Sequence, residues 1–202
     1  MRKRTAKALL ATGAVFFRPE EPFTWASGIK SPVYCDNRLV LTSPQERQIV
    51  EEGLVELIRE EYPEAEALFG TATAGIPHAA IAGYVMGLPM GYVRSGAKDH
   101  GRGSRIEGRV RPGQKVVVVE DLISTGGSVI SAARALQEAG AEVIGVACIF
   151  TYDLKKARTA FAQEDLKYRS LTDFDAVAAA AAEEGYISED DIAQLMDFRN
   201  SL

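Results

Sequence analysis

Apolar and polar positions come in blocks along this chain, and block length separates helices from strands. Thr5 to Thr12 reads as a short helix stopped by Gly13. Phe16 to Pro32 is rich in Pro, Gly and aromatics, and Tyr34 to Leu41 reads as extended. Ser43-Pro44-Gln45-Glu46 combines a capping-box pattern with proline at the first helical position. The helix it opens sets Val50, Leu54, Leu57 and Ile58 on one face until Pro63 ends it.

From there strands and helices alternate. Ala67–Gly70, Met90–Val93, Lys115–Glu120 and Val143–Phe150 are predicted strands. Ile76–Met86 and Gly127–Ala139 are predicted helices, the second closed by Gly140. Val116-Val117-Val118-Val119 is the clearest strand, too β-branched and too short for a helix. Apolar strands without alternation, separated by helices, imply a parallel sheet covered on both faces, hence an α/β fold. The tail adds a helix near Leu154–Glu164, a strand near Lys167–Leu171, and two helices capped by Thr172 and Ser188. A single domain over residues 1–202 is expected: an N-terminal hood segment of about residues 1–40, a core of about 41–172, and C-terminal helices of about 173–202 that join the smaller lobe.

Composition narrows the function classes. With 47% hydrophobic and 25% charged residues, the chain has the balance of a globular domain, which excludes disorder throughout. A net charge of −5 argues against nucleic acid as a partner, since phosphate contacts need clustered Lys and Arg. No apolar run approaches the ~20 residues of a membrane helix, and no apolar leader is read, so a cytoplasmic protein without membrane contact is expected. Cys35 and Cys148 read as small core residues. His78, at a helix start, reads as structural, and Met86 and Met90 as core.

The strongest chemical signal is the run Glu120-Asp121-Leu122-Ile123-Ser124-Thr125-Gly126-Gly127-Ser128 after the valine strand. In parallel α/β folds ligands sit beyond the carboxyl ends of strands. The glycines let backbone N–H groups converge, Ser124, Thr125 and Ser128 add hydroxyls, and the helix start adds a positive dipole end, a set suited to phosphate. Two adjacent acids suit the hydroxyls of a sugar attached to that phosphate. A ribose 5-phosphate pocket is the reading. A P-loop and a dinucleotide fingerprint are both absent from the sequence. A second constellation, Arg94 to Ser104, is polar, Gly-bearing and without apolar periodicity; Arg94, Lys98 and His100 supply groups for a polyphosphate, while Arg102 and Arg105 read as solvated surface charges.

The run from Glu120 to Ser128 resembles the phosphoribosyl-diphosphate motif of the type I phosphoribosyltransferases, a motif that does not name the base. Lys98-Asp99-His100-Gly101, with Arg94 before it, resembles the catalytic loop of the orotate phosphoribosyltransferases within that family. Phe23-Thr24-Trp25-Ala26-Ser27-Gly28-Ile29-Lys30-Ser31-Pro32, Tyr34-Cys35-Asp36-Asn37-Arg38 and Thr71-Ala72-Thr73-Ala74-Gly75-Ile76-Pro77 continue the resemblance. Departures are Ser95, where many members carry a lysine; Arg102, where many carry an acid; Ala74, where some carry a lysine; and Thr151-Tyr152-Asp153, where some offer an arginine to orotate.

The resemblance implies a sheet flanked by helices under a hood, and transfer of ribose 5-phosphate from 5-phosphoribosyl 1-diphosphate to orotate. It implies catalytic roles for Lys98, His100 and Arg94, diphosphate-substrate contacts from these with Lys30 and the whole Glu120–Ser128 run, and orotate contacts from Ser124, Lys30 and Thr73. It implies Mg²⁺ bound through substrate beside Glu120 and Asp121, with no direct protein ligands, and a homodimer sharing the loop across subunits. Transfer to a purine or to uracil stays open at this point. So does a regulator that senses the diphosphate while binding nucleic acid, although the negative charge argues against it.

Overall fold

The computed structural model describes residues 1–18, 21–24, 28, 30–96 and 105–201, with the backbone alone at 189 and 190. An N-terminal helix α1 (Arg2–Ala11) is followed by four short strands, β1 (Val15–Phe17), β2 (Phe23–Thr24), β3 (Lys30–Ser31) and β4 (Val33–Cys35), and by a 3-10 helix (Asn37–Thr42). Then come α2 (Pro44–Glu61), β5 (Ala67–Thr71), α3 (Gly75–Met86), β6 (Met90–Val93), β7 (Ile106–Glu107), β8 (Lys115–Ile123), α4 (Gly127–Glu138), β9 (Glu142–Thr151), α5 (Lys155–Gln163), β10 (Tyr168–Asp173), α6 (Phe174–Glu183) and α7 (Glu189–Asn200).

The main sheet runs β10-β9-β8-β5-β6-β7. All its pairings are parallel except the last, where β7 turns back on β6. Val116 to Val119 are completely buried although successive side chains point to opposite faces, so both faces are covered. Helices α2 and α3 pack on each other and on the sheet, and α4 packs on the sheet with α5 beside it. Strands β5 and β8 are neighbours in space although β6, which lies on the far side of β5, separates them in sequence. The chain therefore leaves β5 and β8 in diverging directions, and a crevice opens beyond their carboxyl ends.

The N-terminal segment makes two antiparallel ribbons, β1–β4 and β2–β3, and α1 packs on α6 from the other end of the chain. Four local expectations are corrected. Tyr34–Leu41 is not one extended segment: the strand stops at Cys35, and the Asp36 carboxylate accepts the Arg38 N–H at 3.2 Å to start the 3-10 helix. The Ser43 hydroxyl bonds the Glu46 carboxylate instead of a backbone N–H, so α2 lacks a reciprocal capping box. Strand β8 continues three residues past Glu120 because Leu122 and Ile123 keep pairing with Phe150 and Thr151. Helix α6 is capped by Asp173, which accepts the Ala176 N–H at 3.0 Å, while Thr172 is buried within β10. Ser188 caps α7 as expected.

Candidate active site

The crevice holds a cavity of about 520 Å³ walled by three pieces of chain. The end of β5 and the turn after it contribute Thr71 to Ala74, the stretch from the end of β8 to the start of α4 contributes Glu120, Asp121, Leu122, Ser124 and Ser128, and the N-terminal segment contributes Tyr34, Cys35, Asp36 and Arg38. Tyr152, at the end of β9, closes one side.

Small residues let the first two pieces meet. A Cβ on Gly75 would stand 2.4 Å from the Val119 carbonyl and 2.6 Å from the Thr71 hydroxyl, so only glycine lets the start of α3 lie against β8. The turn between them contains a cis peptide at Ala72–Thr73, and the Ala72 N–H donates to the Val93 carbonyl at 2.8 Å. The Thr73 side chain is exposed at the cavity.

Glu120 and Asp121 have different surroundings. Glu120 is 5% exposed; the Thr71 hydroxyl donates to its Oε1 at 2.5 Å, the Asp121 N–H to the same oxygen at 3.2 Å, and the Ser128 hydroxyl to Oε2 at 3.5 Å. Burial pushes its carboxyl well above the usual carboxylate range; the Asp121 charge adds to this, and the Thr71 hydroxyl opposes it. Asp121 is half-buried and lines the cavity, and its carbonyl accepts Asn37 Nδ2 at 2.6 Å. Asn37 is fully buried, and the Tyr152 hydroxyl accepts the neighbouring Cys35 N–H at 3.1 Å. These two bonds fasten the N-terminal segment to the central strands.

Beyond β8, Gly126 has φ +83°, and α4 starts at Gly127 without a side-chain cap. Gly127 and Ser128 are exposed and a Cβ at Gly127 would meet nothing within 4 Å, so the start of α4, with the unpaired N–H groups every helix start carries, opens on free space. Such a start receives an anion through those groups and the helix dipole. Ser124 and Ser128 line the cavity beside it. Ile123 is buried and is not among the residues that wall the cavity, and its carbonyl accepts the Tyr152 N–H at 3.0 Å.

Among the cationic residues singled out in the sequence, Arg94 is half-buried at the end of β6, with Nη1 3.8 Å from the Glu107 carboxylate. Lys98 and His100 lie outside the described residues, as does Arg102. Arg105 is not a solvated surface charge. Its Nε donates to the Arg94 carbonyl at 3.0 Å and its Nη1 to Ser131 on α4 at 3.0 Å, so it ties the base of the 94–105 segment to α4. Lys30 is exposed on β3 and is not among the residues that wall the cavity.

Cys35 and Cys148 are buried and free, and burial raises both thiols. His78 is fully buried with Nδ1 2.6 Å from Glu51, in keeping with a structural role, and Met86 and Met90 pack on the core while half-buried. Sequence reasoning quoted Asp36, Arg38 and Thr71 within stretches that carry the resemblance but gave none of them, nor Tyr152, an individual role. The first two fell inside a stretch read as plain strand, whereas the acid–x–arginine spacing at a strand end was the available signal.

Known proteins match this arrangement. The family described as "Phosphoribosyl transferase domain" matches residues 39–184. The orotate phosphoribosyltransferase of Bacillus subtilis (strain 168) is 58% identical over 196 residues, covering 97% of this chain and 91% of its own. The crystal structure of orotate phosphoribosyltransferase from Aeropyrum pernix superposes with a TM-score of 0.77 at 28% identity, over 91% of this chain and 99% of that one. That of Mycobacterium tuberculosis orotate phosphoribosyltransferase in complex with 5-phospho-alpha-D-ribosyl 1-diphosphate gives 0.65 at 26% identity, over 87% and 98%.

Proposed function

The chain belongs to the orotate phosphoribosyltransferase family of phosphoribosyltransferases, and we propose that the cavity beyond β5 and β8 is the active site in which it performs that family's reaction. The reaction joins a ring nitrogen of orotate to the anomeric carbon of 5-phosphoribosyl 1-diphosphate while the bond from that carbon to the diphosphate oxygen breaks. Diphosphate leaves, and orotidine 5′-phosphate, a pyrimidine nucleotide precursor, is formed. The observation that carries the site assignment is the start of α4, without a side-chain cap, one short loop beyond the strand that holds the two acids.

In this reading the 5-phosphate rests on the N–H groups and hydroxyls of Ser124, Thr125, Gly126, Gly127 and Ser128, and the ribose hydroxyls face Asp121. Leu122 and Ile123 carry the backbone between the two. Glu120, bonded to Thr71, fixes the relation of β8 to the turn at Thr73, which together with Ser124 and Lys30 contacts orotate and diphosphate. Positive charge grows on the ribose ring as the leaving group departs, so the protein's work is to stabilise charge and hold the reactants in line. Arg94, Lys98 and His100 neutralise the departing diphosphate, and the segment that carries them excludes water.

Mg²⁺ fits this site as a substrate-held ion. Among the described residues no three acids, histidines or cysteines form a cage, but the carboxylate of Asp121 and the hydroxyls of Ser124 and Ser128 are hard oxygen donors facing the cavity. Asp121 would hold the ion through water and ribose oxygens, and the ion would supply charge neutralisation to the diphosphate. The ribbons β1–β4 and β2–β3 form the hood over the core, α6 and α7 complete the smaller lobe, and a second copy of the chain makes a homodimer with the 94–105 segment shared between subunits. No helix among the described residues is long and apolar enough to cross a membrane, and we place the enzyme in the cytoplasm.

Orotate absorbance, followed with phosphoribosyl diphosphate and Mg²⁺ and with hypoxanthine, adenine and uracil in parallel, tests the reaction. Loss of orotate alone supports it, and reaction with another base instead overturns it. Lys98→Ala should lower turnover by about 10²-fold or more with the fold intact, as for loss of one charge-stabilising donor. Near-normal turnover would remove the loop from the mechanism.

A further inference from the structure

The cavity is rich in acids, yet its pyrimidine substrate is itself an anion. Asp36, Glu120 and Asp121 line it, and among the described residues that wall it Arg38 is the one cation. A carboxylate entering beside acidic groups needs a partner that offsets the repulsion and replaces lost water.

The way Arg38 is held leaves that partner available. Its Nε donates to Asp36 Oδ1 at 2.6 Å and its Nη2 to Asp36 Oδ2 at 2.7 Å. This two-point contact occupies the side of the guanidinium formed by Nε and one edge of Nη2. The end formed by Nη1 and the other edge of Nη2 carries two further parallel N–H bonds, the geometry that takes a second carboxylate. Asp36 is largely covered, with its side chain 19% exposed, whereas that of Arg38 is 61% exposed. Asn37, between them, is bound to the Asp121 carbonyl, so the 3-10 turn bearing Arg38 is fastened to the strand that carries the ribose-facing acid.

We propose that Arg38 is the specificity residue that recognises the carboxylate of orotate, with Asp36 as the positioning residue that orients its guanidinium. The proposal rests on the orotate reaction assigned above. It accounts for an arginine and an aspartate locked together at the mouth of a cavity whose other walls favour cations.

The experiment compares wild type with Arg38→Gln, Arg38→Lys and Asp36→Asn in steady-state orotate consumption, with uracil as a carboxylate-free competitor. Arg38→Gln should raise the orotate KM about 30-fold, the scale of a lost charge-assisted pair. Its KM for phosphoribosyl diphosphate and its kcat should stay within about 3-fold, and inhibition by uracil should not change. Arg38→Lys should recover part of the orotate affinity through charge, without the paired bonds. Asp36→Asn should raise the orotate KM and leave uracil inhibition alone, a split that simple loosening of the pocket would not give.

An unchanged orotate KM in Arg38→Gln overturns the proposal. So does a parallel loss of orotate and uracil affinity, or a rise confined to the diphosphate substrate. If wild type consumes no orotate, the reaction itself is overturned and this proposal with it; if wild type is active and Arg38→Gln matches it, only the proposal falls.

Discussion

Replacing Gly75 by alanine tests whether the site depends on the close approach of α3 to β8. The new Cβ would lie 2.4 Å from the Val119 carbonyl oxygen, about 1 Å inside ordinary contact, and 2.6 Å from Thr71 Oγ1. Neither obstacle is the end of a flexible chain. The carbonyl belongs to a central strand paired on both sides, and the hydroxyl is held by Glu120. Overpacking of this kind costs about 1–3 kcal/mol. The upper end applies here, because relief requires moving backbone, and for a chain of this size it lowers Tm by about 6–12 °C.

The same displacement pushes the 71–74 turn into the cavity, and a shift of about 1 Å in a substrate-positioning element lowers turnover by roughly 10²-fold. The assay pairs a thermal melt by circular dichroism with orotate turnover measured well below the lower Tm. A variant that melts within about 2 °C of wild type and turns over normally would refute the reasoning. It would mean that the turn and strand accommodate a methyl group without cost.

Two further outcomes are expected. Glu120 has a folded-state pKa above its unfolded one, so the folded state binds the extra proton; this stabilisation is fully present below the ordinary carboxylate value and is lost as pH rises through the folded value. Unliganded wild type should therefore lose stability to Glu120→Gln as pH rises, and urea midpoints that stay parallel across pH would count against a buried, reluctant carboxylate. Arg105→Ala removes two hydrogen bonds that tie the 94–105 segment to α4, and should lower kcat about 10-fold through misplaced loop residues with Tm changed by under about 3 °C; unaltered kcat would make those bonds ornamental.

Much of the core was legible because β8 and β9 are largely apolar, β-branched runs and helices such as α2 and α4 have a clear apolar face. The valine strand and Ser188 needed no tertiary information. What failed was local competition. Asp36 captures a backbone N–H and turns a strand-like segment into a 3-10 helix, a choice decided by Asn37 reaching Asp121 far along the chain. Thr172 loses the cap to Asp173 because sheet pairing buries it. At the site, the Glu120–Ser128 run was legible as one stretch of sequence. Arg38 and Tyr152 were not, since their place in the cavity depends on which segments cross the ends of β5 and β8. Arg105 was misread because its partners, the Arg94 carbonyl and Ser131, are brought to it by the β6–β7 ribbon and by α4.

The position of β5 and β8 at the centre of the sheet has a kinetic consequence. Amide hydrogens of paired, doubly covered strands exchange only through the largest openings of a molecule, whereas edge strands and terminal ribbons open in smaller, more frequent events. The loop from Ser124 to Gly126 and the turn at Thr73 spring directly from these two strands, so their framework should persist through fluctuations that release β7, β10 or the N-terminal ribbons. Arg38, the proposed carboxylate partner, rides on the N-terminal segment, outside the sheet. In the proposed site, phosphate and ribose recognition are thus rooted in the slowest-opening part of the protein. The proposed base recognition sits on the N-terminal segment, which the Asn37–Asp121 and Cys35–Tyr152 bonds join to that framework, so it should open only when those two bonds release.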